Sequence, residues 1–202
     1  TIMRKLSLQS LVEASLRAET GKVLSRPLGS PSAKSPWEKI FLNPRQLFQL
    51  PTPDDQTISS QVTIGPRAKN PLTIETPIMI SDMSYGGSLS LLAKIALAHG
   101  ASDAGTATNT GESSLTDEER TAAKKLIGQY NRGEWLNTPK QLEQLDAIEV
   151  QLGQGAWGGA VYSRKFADQI DVHLRKAWHL EENQDTERKA RLTDINTPEE
   201  VI

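Results

Sequence analysis

Residues 77–87 read PIMISDMSYGG, and the stretch changes character halfway along. Pro77 to Ser81 is a compact apolar run of the kind that forms a fully buried strand. It then passes into Met83, Ser84, Tyr85, Gly86 and Gly87. Small, backbone-exposing residues at the end of a buried strand predict that something packs closely against the main chain there.

The same arrangement recurs downstream. Residues 90–99, SLLAKIALAH, predict a helix with Leu91, Leu92, Ile95 and Leu97 buried and Gly100 at its end. Residues 104–108 predict a short strand that leads into NTGESS. The run 116–131, TDEERTAAKKLIGQYN, predicts a helix with Thr116 as N-cap and Glu119 at capping-box spacing. AIEVQL at 147–152 predicts a third strand, ending in GQGAWGG, and 163–178 a third long helix. TPEEVI at the end of the sequence predicts the start of another. Strand, glycine-rich turn and helix therefore alternate, which argues for an α/β fold with parallel strands and helical crossovers. Ligands in such folds sit beyond the carboxyl ends of the strands, where MSYGG, NTGESS and GQGAWGG all fall. The competing reading is that the glycines only make tight strand-to-helix turns.

Upstream, residues 1–20 read as an amphipathic helix with Leu6, Leu8, Leu11, Val12 and Leu16 near helical spacing. Residues 21–70 are rich in proline and serine, which rules out long regular elements. Trp37, Ile40, Phe41, Leu42, Leu47 and Phe48 make this an arm expected to lie on a neighbouring surface. The expected division is thus an N-terminal helix and arm, 1–70, and a domain from 71 to 202.

Net charge is -2, with 23 basic against 25 acidic residues, so no general attraction to nucleic acid or membrane surfaces is expected. No apolar run approaches the roughly 20 residues that span a bilayer, and the chain reads as cytoplasmic. The absence of cysteine excludes thiolate metal sites and an iron–sulfur cluster on this chain. His99, His173 and His179 form no local ligand pair. Trp135 and Trp178 read as packing residues, and Glu112, in a glycine-bounded loop, is the acid best placed for chemistry.

IGPRAKNPLTIETPIMISDMSYGG, AKIALAHGASDAGTATNTGE, LTDEER…LIGQYNRGEW and DAIEVQLGQGA together resemble the FMN-binding domain of glutamate synthases. The stand-alone glutamate-synthase-like branch, which includes the large subunit of N-methylglutamate synthase, is the most similar. The resemblance implies a (β/α)8 TIM-type barrel, of which this sequence carries the N-terminal half with its first three βα units. It implies an oxidoreductase that reduces 2-iminoglutarate, formed from 2-oxoglutarate and ammonia, to glutamate. FMN is the implied cofactor, with an iron–sulfur cluster elsewhere in the family. A glutaminase supplying ammonia, a reductase or ferredoxin, and a complementary barrel half are the implied partners. In the family the MS(F/Y)G turn runs beneath the flavin, which assigns Met83, Ser84, Tyr85 and Gly86 to the cofactor. Asn109, Thr110, Gly111 and Glu112 match the NTGE motif facing flavin and substrate, with Glu112 as the catalytic candidate. Gln129 matches a glutamine near the flavin, Gln154 and Gly155 match the turn after the third strand, and Gln151 occupies a cofactor-site position of the family without matching its residue.

The departures carry their own expectations. Gln151 stands where the family usually has lysine, so no cation there stabilises a reduced flavin. The usual GEGG reads Gly111-Glu112-Ser113-Ser114, and Trp157 replaces another lysine. A (β/α)8 barrel takes about 250 residues and eight strands, more than residues 71–202 supply. A truncated or degenerate non-catalytic paralogue acting as an interaction protein is therefore the alternative.

Overall fold

The computed structural model describes residues 8–21, 36–41, 43, 48, 50–153 and 163–201. The chain divides into two compact units, residues 1–59 with 156–158, and residues 60–155 with 159–202. The first contains helix α1, Leu8–Thr20, and a 3-10 turn at Pro36–Lys39. On α1 the expected apolar stripe is open, with Leu8, Val12 and Leu16 exposed. Trp37, Ile40, Phe41 and Phe48, expected against a neighbouring surface, are exposed as well. Leu6, Leu42 and Leu47 lie outside the described residues.

The second unit begins with an antiparallel hairpin, β1 (Val62–Ile64) and β2 (Leu72–Ile74), paired Val62 to Ile74. Leu72 and Ile74 are buried while β1 is exposed, so the hairpin presents one strand inward. Leu72 and Ile74 pack with Ala107, Ile127 and Ala147. Those three residues lie on one face of a three-stranded parallel sheet, β3 (Thr108–Asn109), β4 (Leu126–Tyr130) and β5 (Ala147–Val150), in that order.

The other face of the sheet meets helices. Helix α2 runs Leu91–Asp103 from its N-cap Ser90, whose hydroxyl accepts the Ala93 amide at 3.3 Å. Ala98 on α2 packs with Ala123 and Leu126, and Leu145 closes over Gly128, where a Cβ would lie 2.1 Å from a Leu145 methyl. Helix α3, Asp117–Ala122, is capped by Thr116 as the spacing predicts. Helix α4, Pro139–Leu142, leads into β5.

Several expectations are corrected. Residues 78–81 form no ladder; Ile80 donates one backbone bond to Ala107 at 3.0 Å, which holds the segment beside β3. Helix 116–131 stops at Ala122, and Leu126–Tyr130 is the central strand. Its pairing to β3 and β5 on both sides outweighs the helical propensity of the preceding lysines and alanines. The strand expected at 104–108 is reduced to Thr108–Asn109 and the one expected at 147–152 to Ala147–Val150, and β4 lies between them. Helix α2 carries Gly100 inside it, and Leu92 is exposed while Lys94 and Ala98 are buried. Apolar residues surround that helix on every side, so their spacing does not select the buried face.

Residues 163–178 are not one helix. They form β6 (Ser163–Lys165), a 3-10 turn at Ala167–Gln169 and α5 (Val172–Ala177), capped by Asp171. Strand β6 pairs antiparallel with β7 (Thr186–Arg188). TPEEVI gives only a 3-10 turn, Pro198–Val201. The described strands form an open α/β arrangement and close no barrel. No described helix is long and apolar enough to cross a membrane.

Candidate functional site

The carboxyl ends of β3, β4 and β5 and the turn at 82–87 converge on one rim. What packs against the Met83 backbone is the NTGE loop. Gly111 has φ +66°, and a Cβ on it would lie 2.6 Å from both Met83 C and Ser84 N. Glycine is needed for the torsion and for the contact. The loop is fixed from within, since the Asn109 side chain accepts the Gly111 amide at 2.8 Å and the Thr110 hydroxyl accepts the Gln129 amide at 3.0 Å. From beneath, Lys94 Nζ donates to the Asn109 carbonyl at 2.5 Å and pairs with Glu119 at 2.9 Å. Burial pushes the Glu119 carboxyl above its ordinary range, against the opposing pull of Lys94 and Arg120.

A polar network crosses the strand ends. Gln129, 1% exposed on β4, donates to Glu149 at 2.6 Å and to Asp82 at 3.1 Å. Asn109 donates to the other Glu149 oxygen at 2.8 Å. The matched pair Gln129–Glu149 in the β4–β5 register places both side chains on the sheet face that, one layer below, carries Ile127 and Ala147. Gln129 is thus an interior strand residue rather than an amide on a helix surface.

Glu112 is held by two arginines. Arg188 donates to it at 2.6 Å and Arg132 pairs with it at 3.4 Å, while its own side chain is 8% exposed. Gln151 Oε1 lies 3.5 Å from Arg132 Nε, so the position where a lysine was expected to matter turns instead toward a buried cation. Gln154 lies outside the described residues, as does Trp157. Sequence reasoning missed Lys94, Arg132, Glu149 and Arg188. Arg132 follows β4 directly in a glycine-bounded loop, a signal hidden by reading 116–131 as helix.

Residues 163–188 lie across this rim. Leu174 fills the space over Gly86, where a Cβ would be 2.4 Å from its methyl. Lys165 donates to the Gly86 carbonyl at 2.8 Å. The Ser113 hydroxyl donates to the Tyr85 carbonyl at 3.0 Å and accepts Trp178 Nε1 at 2.9 Å. Trp178 stacks on Trp135 with centroids 4.0 Å apart and planes 2° from parallel. Burial, then the Asp171 and Glu118 carboxylates, push the Tyr85 phenol above its ordinary range.

The space left between this segment and the rim is about 140 Å³, lined by Ser84, Gly86, Glu112, Trp135, Trp178 and Arg188 among others. Ligand pockets run to roughly 300–1,000 Å³. With the Tyr85 and Gly86 carbonyls already taken, this arrangement does not accommodate a flat three-ring cofactor over the turn. Among the described residues no group of three or more His, Asp or Glu side chains is arranged to hold a metal.

The family model described as the conserved region in glutamate synthase matches residues 34–202. A glutamate synthase large subunit-like protein of Rhizobium meliloti is 43% identical over 115 residues, 55% of this chain and 26% of its own length. An archaeal-type glutamate synthase (NADPH) of Thermotoga maritima is 30% identical over 176 residues, 75% of this chain and 34% of its own. An archaeal glutamate synthase (NADPH) of Archaeoglobus fulgidus is 43% identical over 86 residues, covering 43% of this chain and 17% of its own length. The chain thus spans about a third of these relatives' length or less. No solved structure is significantly similar to it.

Proposed function

Because the chain belongs to the glutamate synthase family, we propose that it supplies the first parallel strands and rim loops of a glutamate-synthase-like FMN oxidoreductase. The reaction is reduction of 2-iminoglutarate, formed from 2-oxoglutarate and ammonia, to glutamate. The observation that carries this reading is the joining of two family motifs: the NTGE loop is seated through Gly111 on the MSYG backbone. Asn109, Thr110 and Gln129 are tied into the same rim, and Glu112 stands beside them.

FMN supplies the hydride chemistry when bound, and this chain contributes the loops that would face it. In this structure residues 163–188 cover the rim that would face the flavin. Electrons and ammonia come from partner polypeptides, a reductase or ferredoxin and a glutaminase. The test is isotope-labelled glutamate formation from 2-oxoglutarate and labelled ammonium with a chemically reduced mediator, together with FMN titration of the purified chain. Label in glutamate that depends on the chain and on FMN supports the reading.

The second reading, a non-catalytic interaction protein, is favoured by one observation. Glu112 and Gln151 are engaged with Arg132 and Arg188 instead of facing an open site. FMN that fails to bind under any condition, with no glutamate formed, decides for it.

A further inference from the structure

The serines that replace two family glycines are both buried, and both are used as anchors. Ser114 accepts Gln141 Nε2 at 3.2 Å, which steadies the loop from the α4 side. Ser113 joins the turn to the crossing segment, through Tyr85 on one side and Trp178 on the other. A glycine at 113 has no hydroxyl to do this. The side chains that stand in place of the family's glycines therefore hold a piece of the chain's own structure in place.

That piece consists of short elements. Strands β6 and β7 have three residues each and α5 has six. A two-stranded ribbon and a helix of that length have little stability of their own. They are held by what they touch: Leu174 over Gly86, Trp178 on Ser113 and Trp135, Trp135 Nε1 on the Thr186 hydroxyl at 2.9 Å, and Arg188 on Glu112. The small cluster Tyr85, Ile170, Leu174 and Trp178 is separate from the clusters that hold the sheet to its hairpin and its helices. Its loss leaves those clusters intact, which is the condition for local opening below the global unfolding free energy.

We propose that residues 163–188 are a latch that closes the rim, and that a flat aromatic ligand reaches the Met83–Gly87 turn only when Leu174 and Trp178 withdraw. The latch rests on the geometry just given; that its competitor is a flavin rests on the proposed function. Closure lowers apparent affinity by the fraction of molecules that are open, so weakening the latch tightens binding in proportion. Trp178→Phe removes the donor to Ser113 while keeping an aromatic ring, and Leu174→Ala empties the space over Gly86.

The experiment is hydrogen–deuterium exchange of the whole chain and both variants, followed by FMN titration of all three. Amides of 83–87 and 110–114 are expected to exchange about tenfold faster in the variants, with β4 unchanged, and FMN to bind about tenfold more tightly. Unchanged exchange at 83–87 in both variants overturns the latch. So does acceleration that spreads equally to β4, because the segment is then part of the permanent core. Equal FMN affinity in all three forms overturns the competition. Absence of FMN binding in all three counts against the flavin reading, and the exchange data alone then decide the latch.

Discussion

Lys94 and Glu119 meet as an ion pair at 2.9 Å with each side chain 1% exposed, and the same ammonium holds the Asn109 carbonyl at the head of the NTGE loop. A buried pair is costly to break from one side, because the remaining charge has no partner. Lys94→Met is expected to lower stability by about 3–5 kcal/mol, and Lys94→Met with Glu119→Leu to recover most of that. Chemical denaturation of the three forms checks this; a double variant no more stable than the single removes the ion-pair account.

The same pair sets a pH dependence. Burial raises the Glu119 carboxyl, so the folded chain holds that proton more tightly than the unfolded one. Stability from this group is therefore full at low pH and falls as pH rises from the ordinary carboxylate range through the raised folded value. Glu119→Gln is expected to flatten this part of the profile of denaturation midpoint against pH. A profile identical to the parent's contradicts the assignment.

Two glycines should respond in opposite directions. Gly111→Ala forces a side chain into φ +66° and against the Met83–Ser84 backbone at 2.6 Å, which cannot move aside as a flexible side chain can. A loss of at least about 2 kcal/mol is expected. Gly100 is exposed within α2 and has nothing within 4 Å of its would-be Cβ. Gly100→Ala should stabilise by about 0.5–1 kcal/mol. Melting temperatures of the two variants, read side by side, test both signs.

These positions show what the sequence makes legible. Ser90 and Thr116 announce helix starts because a capping side chain is a local device. The meeting of the MSYGG and NTGESS loops is foreshadowed by their small residues, since close approach demands them. Leu126–Tyr130 is not legible: it follows a good helical stretch, and only the neighbours β3 and β5 make it a strand. Residues 163–178 mislead for the same reason, being shaped by the rim they cross rather than by their own periodicity. Lys94 reads as part of an apolar helix, and nothing in its spacing reveals the buried Glu119 opposite.

Glu112 separates two accounts of the rim. With Arg132 only 2% exposed, Glu112→Gln leaves a buried guanidinium without this counterion, and a loss of about 3–5 kcal/mol is expected. A residue that serves only as a proton relay would instead lose activity at unchanged stability. Denaturant midpoints for Glu112→Gln beside glutamate formation distinguish these, and an unaltered midpoint favours the relay.

Tyr130, at the end of β4, donates to Asp194 and its phenol is pushed up to about 12, chiefly by burial and then by that carboxylate. The folded chain keeps this proton where the unfolded chain has lost it, so this contribution fades as pH rises from the usual tyrosine range toward 12. Alkaline titration followed by tyrosinate absorbance should show, besides the upward-shifted Tyr85, a group ionising at about 12 that is absent in Tyr130→Phe. Three tyrosines that all titrate together near the ordinary value would contradict the contact.

The outer edge of β5 leads to the last prediction. Strand β5 pairs with β4 on one side, and among the described residues no strand pairs on the other. Ile148 is 50% exposed and Leu152, just beyond the strand, 64%. An edge with apolar side chains and open backbone groups is a template for another strand, and soluble proteins seldom leave it bare. A strand supplied in trans, from a complementary chain or a second copy, is the expected occupant. The purified chain should therefore associate with rising concentration in light scattering, and Ile148→Lys with Leu152→Lys should suppress it by placing charge at the contact. Addition of a complementary partner should abolish self-association by taking the same edge. A monomer at every concentration, with cooperative thermal unfolding, would show that the β5 edge needs no partner.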